Sequence, residues 1–275
     1  MKRLLAVAAL LLGAACTEVS TDPNAIVAVQ FIGSPYPSIV AGDSLRDSLG
    51  ALQPLRATGL NYKGDPIEGA GFVFSSPDTV LRVFETGDVF ATRRKTDATP
   101  ARVFATAGKL QSVPDSLFVV QRADSIKPTK QADTIFFDPA RGGASADPLV
   151  IPTTLLFGVF GDTATGKPKA PVPAWLVSFQ LRYHGTTISP TDTSYAYTFE
   201  VNSAKTARIP TSVDTTDASG ATSRRVFVRT LSVPEDTVVL IATIRQRIEN
   251  SAPISDSAFM VIRPAPPPSA SLRRK

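Results

Sequence analysis

Between residues 26 and 262 no stretch keeps an apolar residue every three or four positions for the length of a helix, and that limits the chain to β-structure. Short runs rich in Val, Phe and Ile recur instead, each closed by Gly, Pro, Asp or Ser. IVAVQFI (26–32), GFVFSS (71–76), RVFATA (102–107) and SLFVVQ (116–121) read as strands of a first sandwich. TVLRVF and VFATR flank ETGD (85–88), where Gly87 supplies a tight turn and makes a hairpin of them. Pro114 has no amide hydrogen to give a ladder and belongs at an edge or a strand start.

A second series follows: DTIFF (133–137), TLLFGVFGD (154–162), AWLVSFQLRY (174–183), SYAYTFEV (194–201), RRVFVRT (224–230), TVVLIATIRQ (237–246) and SAFMVIRP (257–264). That number of short strands with turn signals between them suits an immunoglobulin-like sandwich. The polar stretch ADSIKPTKQ (123–131), with Pro128, reads as a linker, and RGGASADP (141–148) as a loop inside the second half. The predicted fold is all-β: two tandem immunoglobulin-like β-sandwiches, over 26–122 and 132–263, each with its own core and able to fold alone.

The chain has one cysteine, so nothing is left to build a disulfide scaffold. Of the formal charge of +5, Lys2 and Arg3 stand at the N-terminus and Arg263, Arg273, Arg274 and Lys275 at the C-terminus, which leaves residues 16–262 one unit negative. A near-neutral body has no general attraction for phosphate, and nucleic acid is not an expected partner.

The cysteine lies at the end of MKRLLAVAALLLGAAC, after a positive start, an apolar run too short for a stop-transfer helix, and three small residues. This is an export signal. The stretch GAAC resembles a bacterial lipobox, with Gly13 where a large aliphatic residue is usual. Residues 1–15 are then a cleaved lipoprotein signal peptide, Cys16 carries the acyl chains, and 16–25 is a tether. Thr17, rather than Asp, favours the outer membrane in a two-membrane host; in a one-membrane host the location would be the cell surface.

VAGDSLRDSL and the stretch from LRATGLNYKG to SLFVV resemble the second group of bacterial Ig-like domains, with Gly42, Ser75, Ser76, Asp78, Gly87, Ala105 and Ala107 on that pattern and Phe74 in place of its tryptophan. VFGDTATGKPKAPVPAWLVSF and TTDASGATSRRVFV are similar to the invasin and intimin type, with Pro171 and Pro173 departing from its spacing. The resemblance implies a stalk, spacer or adhesive surface and no catalytic residue.

Three motifs look like chemistry. Gly-Asp-Ser-Leu (42–45) resembles the nucleophile block of a family of esterases, but Ser44 needs a histidine base, and the one histidine is His184, without the Asp-x-x-His spacing of that family. The motif reads better as a turn leading into a strand. GDTATGKP (161–168) nearly spells a phosphate loop through Gly161, Gly166 and Lys167, yet Pro168 stands where a Ser or Thr should hold magnesium and open a helix. Asp214, Asp217 and Ser219 could begin a calcium loop, but Val226 stands where its closing Glu would be, and a hairpin turn is the expectation. His184 has no Cys or second His with which to hold zinc or copper. No cofactor or metal is therefore expected.

Trp175 shares a face with Val177, Phe179 and Leu181 and reads as a core aromatic rather than a ligand platform. Tyr195 and Tyr197 share another face and would suit a binding surface if exposed. The tail, residues 264–275, is rich in proline and basic, cannot be helical, and is expected to be extended or disordered. The expectation is an exported, lipid-anchored, non-enzymatic binding, adhesive or structural protein of the cell envelope. Its partners would be the membrane, through the acyl chains, and a surface carbohydrate or protein; a Ser44 esterase is the alternative.

Overall fold

The computed structural model describes residues 20–95, 99–137, 150–151, 153–162, 169–189, 197–200, 211–228 and 236–264. No helix occurs among them. The stretches 1–19, 141–148, 163–168 and 265–275, and with them Cys16, Gly166, Lys167 and Pro168, lie outside the described residues.

The first sandwich comprises β1 (Ala28–Phe31), β2 (Ser38–Val40), β3 (Ala57–Leu60), β4 (Pro66–Ile67), β5 (Val73–Ser75), β6 (Leu81–Val83), β7 (Val89–Ala91), β8 (Ala101–Ala107), β9 (Leu110–Gln111) and β10 (Asp115–Val120). One sheet runs β1-β3-β4 and the facing one β2-β10-β8-β5, with β9 returning on β8. β6 and β7 form the expected hairpin, and Gly87 turns it at φ +94°, which a side chain would oppose. On β8 the alternation puts Ala101, Val103 and Ala105 inside, where these small side chains leave room for Ile39, Leu55, Phe74 and Leu117. Pro114 sits immediately before β10, a strand-start position.

The second sandwich comprises β11 (Ser125–Pro128), β12 (Ala132–Phe137), β13 (Val150–Ile151), β14 (Thr153–Gly161), β15 (Ala170–Pro171), β16 (Leu176–Tyr183), β17 (Thr186–Ile188), β18 (Tyr197–Glu200), β19 (Val213–Thr215), β20 (Ala221–Val228), β21 (Asp236–Ile244) and β22 (Ile254–Pro264). One sheet runs β11-β14-β20-β18, the other β13-β12-β22-β21-β16-β17. Val177, Phe179 and Leu181 of β16 and Val238, Leu240 and Ala242 of β21 point into the core, where Phe179 meets Phe157 edge-on at 5.8 Å.

The strand order identifies the fold. In each half a short strand pairs in parallel with the last long one, β2 on β10 and β12 on β22, and two earlier strands continue the sheet as β8-β5 and β21-β16. With β11-β14-β20-β18 facing it, the second half has the sheet composition of an immunoglobulin domain, and the chain is two such sandwiches in tandem.

The stretch 123–131 is not a linker. It contains β11, which pairs with β14 from Ser125 opposite Phe160 to Pro128 opposite Phe157, and Ala123 and Ile126 belong to the second core. One large apolar residue among polar neighbours gave no alternation to recognise, and Pro128 is tolerated because it ends the strand.

Candidate functional site: the junction of the two sandwiches

A cluster of buried polar groups lies at the contact between the halves. Arg247, in the turn that follows β21, is 1% exposed and adopts φ +59°. Its guanidinium lies 3.9 Å from the ring centroid of Tyr36 and 5.3 Å from that of Trp175. It donates hydrogen bonds to the Ser38 carbonyl at 2.8 Å and the Arg46 carbonyl at 3.1 Å. A side chain of the second half is thus held by backbone and aromatic groups of the first. Delocalised, weakly hydrated charge suits such a site better than an ammonium would.

The surrounding groups interlock. The Leu176 amide donates to the Tyr36 hydroxyl at 2.7 Å, and the Tyr36 ring meets Trp175 edge-on at 5.8 Å. The Ser38 hydroxyl donates to the Ala174 carbonyl at 2.9 Å, and the Gln121 amide to the carbonyls of Ala170 and Pro171 at 3.0 and 2.8 Å. Trp175 Nε1 donates to the Arg245 carbonyl at 3.1 Å. Gly50, at φ +95°, lies so close to the second half that a Cβ there would stand 2.8 Å from the Ile248 carbonyl carbon. Val40 and Val120, at the ends of β2 and β10, are part of the second apolar core.

Electrostatics follow from this burial. Burial pulls the Arg247 guanidinium down to about 10, against the pull of Tyr36 and Asp43, and pushes the Tyr36 phenol up to about 12, against the Leu176 amide and Arg247. Beside them, Asp43 accepts from Arg122 at 2.7 Å and from Arg46 at 3.2 Å, while Arg122 also donates to the Gln246 carbonyl at 2.9 Å. Burial works to raise the Asp43 carboxyl, but hydrogen bonds from Arg122, the Ser44 amide and Arg46 outweigh it and hold the group below the usual carboxylate range. Next to Tyr36 a groove of about 260 Å³ opens between Leu49, Leu176, Val213 and Arg245.

The residues singled out in the sequence fall elsewhere or take part differently. Trp175 is fully buried, as a core aromatic, and meets Tyr36 and Arg247 at the junction. Ser44 forms a β-bridge to Phe90, and the aspartate before it is held by two arginines. His184 is exposed in the turn after β16, stacked on Tyr183 at 4.1 Å with Nε2 3.3 Å from Asp236. Ser44 and His184 therefore stand in different sandwiches, and the structure does not bring them together. The Asp236 carboxyl is kept below its usual range chiefly by the Tyr183 hydroxyl and the Thr237 amide.

Asp217 closes its own turn, accepting from the amides of Ser219 and Ala221 and from the Ser219 hydroxyl. Asp214 accepts from the Thr222 hydroxyl and from the guanidinium of the buried Arg224. Among the described residues no group of three or more His, Cys, Asp or Glu side chains could hold a metal ion. Gly161 ends β14 beside Arg122. Tyr195 lies outside the described residues, as does the side chain of Tyr197 at the start of β18. Tyr36 and Arg247 carry no sequence signal, since each sits in a polar turn and is buried by segments distant in the chain, 140 residues away for the Tyr36–Leu176 bond and 209 for Arg247–Ser38.

No family model and no curated protein matches the chain. Among solved structures it is similar to the Yersinia pseudotuberculosis adhesin InvE, with 12% identity, 86% of this chain and 58% of that one covered, and a TM-score of 0.33. It is also similar to Dpr2 Ig1-Ig2 in complex with DIP-Theta Ig1-Ig3, with 10% identity, 86% and 66% covered and a TM-score of 0.30. Human mucin-like protocadherin EC1-2 follows, with 11% identity, 88% and 98% covered and a TM-score of 0.27. Scores of this size are too low to argue from, and the immunoglobulin-like assignment rests on strand order.

Proposed function

We propose that the chain is an exported, lipid-anchored protein of the cell envelope, at the outer membrane or cell surface, acting as a non-enzymatic binding, adhesive or structural module. Its first sandwich is of the group 2 bacterial Ig-like type and its second of the invasin and intimin type. The observation that carries this reading is the tandem of immunoglobulin-ordered sandwiches joined through a buried junction, with the chemistry-bearing residues of the sequence tied into turns and ion pairs. The location rests on the lipobox-like stretch ending at Cys16, where signal cleavage would leave a thiol for diacylglycerol.

The partner would be a surface carbohydrate or protein. The groove beside Tyr36, flanked by the exposed Leu49 and Val213, is the place to test it. A screen of the purified protein against envelope polysaccharides and matrix proteins should yield a ligand whose binding falls in a Leu49→Asp variant. Hydrolysis of a short acyl ester that disappears in Ser44→Ala would instead establish the esterase.

A further inference from the structure

Two tandem domains joined by a linker usually touch over a modest polar interface and move against each other. This junction is built otherwise. Val40 and Val120 end the parallel pair of the first sandwich, yet they pack in the core of the second, so the two cores share a wall. Tyr36 is 2% and Ser38 0% exposed, and what covers them is Arg247, Ala174 and Trp175. Separation would place Arg247 in water, strip Trp175 of its contact with Tyr36, and leave the carbonyls of Ser38 and Arg46 without their donor. The connecting residues offer no slack, because Gln121 is bonded to β15 and the Asp124 amide donates to the Phe160 carbonyl at 3.0 Å.

We infer that the two sandwiches fold, unfold and reorient as one body, coupled through the contacts of Arg247 with Tyr36, Ser38 and Arg46. The test uses the full-length chain and a substitution remote from the junction. Met260 is fully buried in β22, six residues beyond the strand's start at Ile254, about 20 Å along it. Met260→Ala leaves a cavity that should lower hydrogen-exchange protection in β21 and β22 on the order of thirtyfold or more. If the halves are one body, the amides of β8 and β10 lose protection by the same factor. In Met260→Ala combined with Arg247→Ala the two losses should part, β8 and β10 no longer following β21. Protection of β8 and β10 that stays at the wild-type level in Met260→Ala would overturn the inference. So would two separate heat-absorption peaks for the wild-type chain, a reading that does not depend on the double variant folding.

Discussion

Tyr36 shows how one residue can register the state of the junction. Its phenol is pushed up to about 12 by burial, whereas the unfolded chain loses that proton near the ordinary value of 10.0. Below pH 10 both states are protonated and the junction has its full stability. Between pH 10 and 12 the folded state holds a phenol proton that the unfolded state has lost, so the Tyr36 contribution falls as pH rises, while Arg247, pulled down to about 10, gives up its proton first in the folded state and contributes in the opposite direction. Phenolate absorbance of the folded chain should show the Tyr36 step late, near pH 12. Tyr36→Phe should abolish that late step and, by leaving the Leu176 amide without an acceptor, cost about 1–3 kcal/mol in denaturant unfolding.

Asp43 gives the acid counterpart. A depressed carboxyl stabilises the fold above its unfolded value and loses that contribution as pH falls through the folded one. Asp43→Asn should therefore be less stable near neutrality and show a shallower decline on acidification, measured by melting temperature against pH. At this scale the sequence was readable where a residue's surroundings are local. Trp175 alternates with Val177 and Phe179 and was legible as core, and Asp217 as a turn residue. Arg247 reads as a solvated turn residue, because neither Tyr36 nor Ser38 is near it in the chain.

Among elements, length decided what could be seen. β14, β16, β21 and β22 alternate over 8–11 residues, enough for a period of two to stand out. β2, β4 and β13 have two or three residues and exist because a longer neighbour offers its edge. β11 is hard to read from sequence for a different reason. Only Ile126 and Ala123 of its stretch point inward, and the outward side is polar. This makes the segment's role testable, since a linker tolerates truncation and a core strand does not. Ile126→Ala should lower the unfolding free energy by about 2–4 kcal/mol in a urea titration, well above what an exposed linker position would show.

For the molecule as a whole, the question is where so compact a tandem is held. Residues 16–262 are close to electrically neutral, so neither an anionic membrane nor a polyanion attracts them strongly. On the proposed reading attachment depends on Cys16, some ten residues before the first sandwich, a tether of at most about 35 Å. Each buried methylene of an acyl chain adds about 0.8 kcal/mol, and two or more chains hold a protein stably where surface charge cannot. Cys16→Ser should therefore leave the β-type circular dichroism and the melting curve unchanged. The protein should leave the membrane fraction, either soluble or as an uncleaved precursor held by its signal. Mass spectrometry of the wild-type N-terminus gives the direct reading: a mature chain beginning anywhere but at an acylated Cys16 would remove the anchor and leave a secreted protein whose junction and fold are the same.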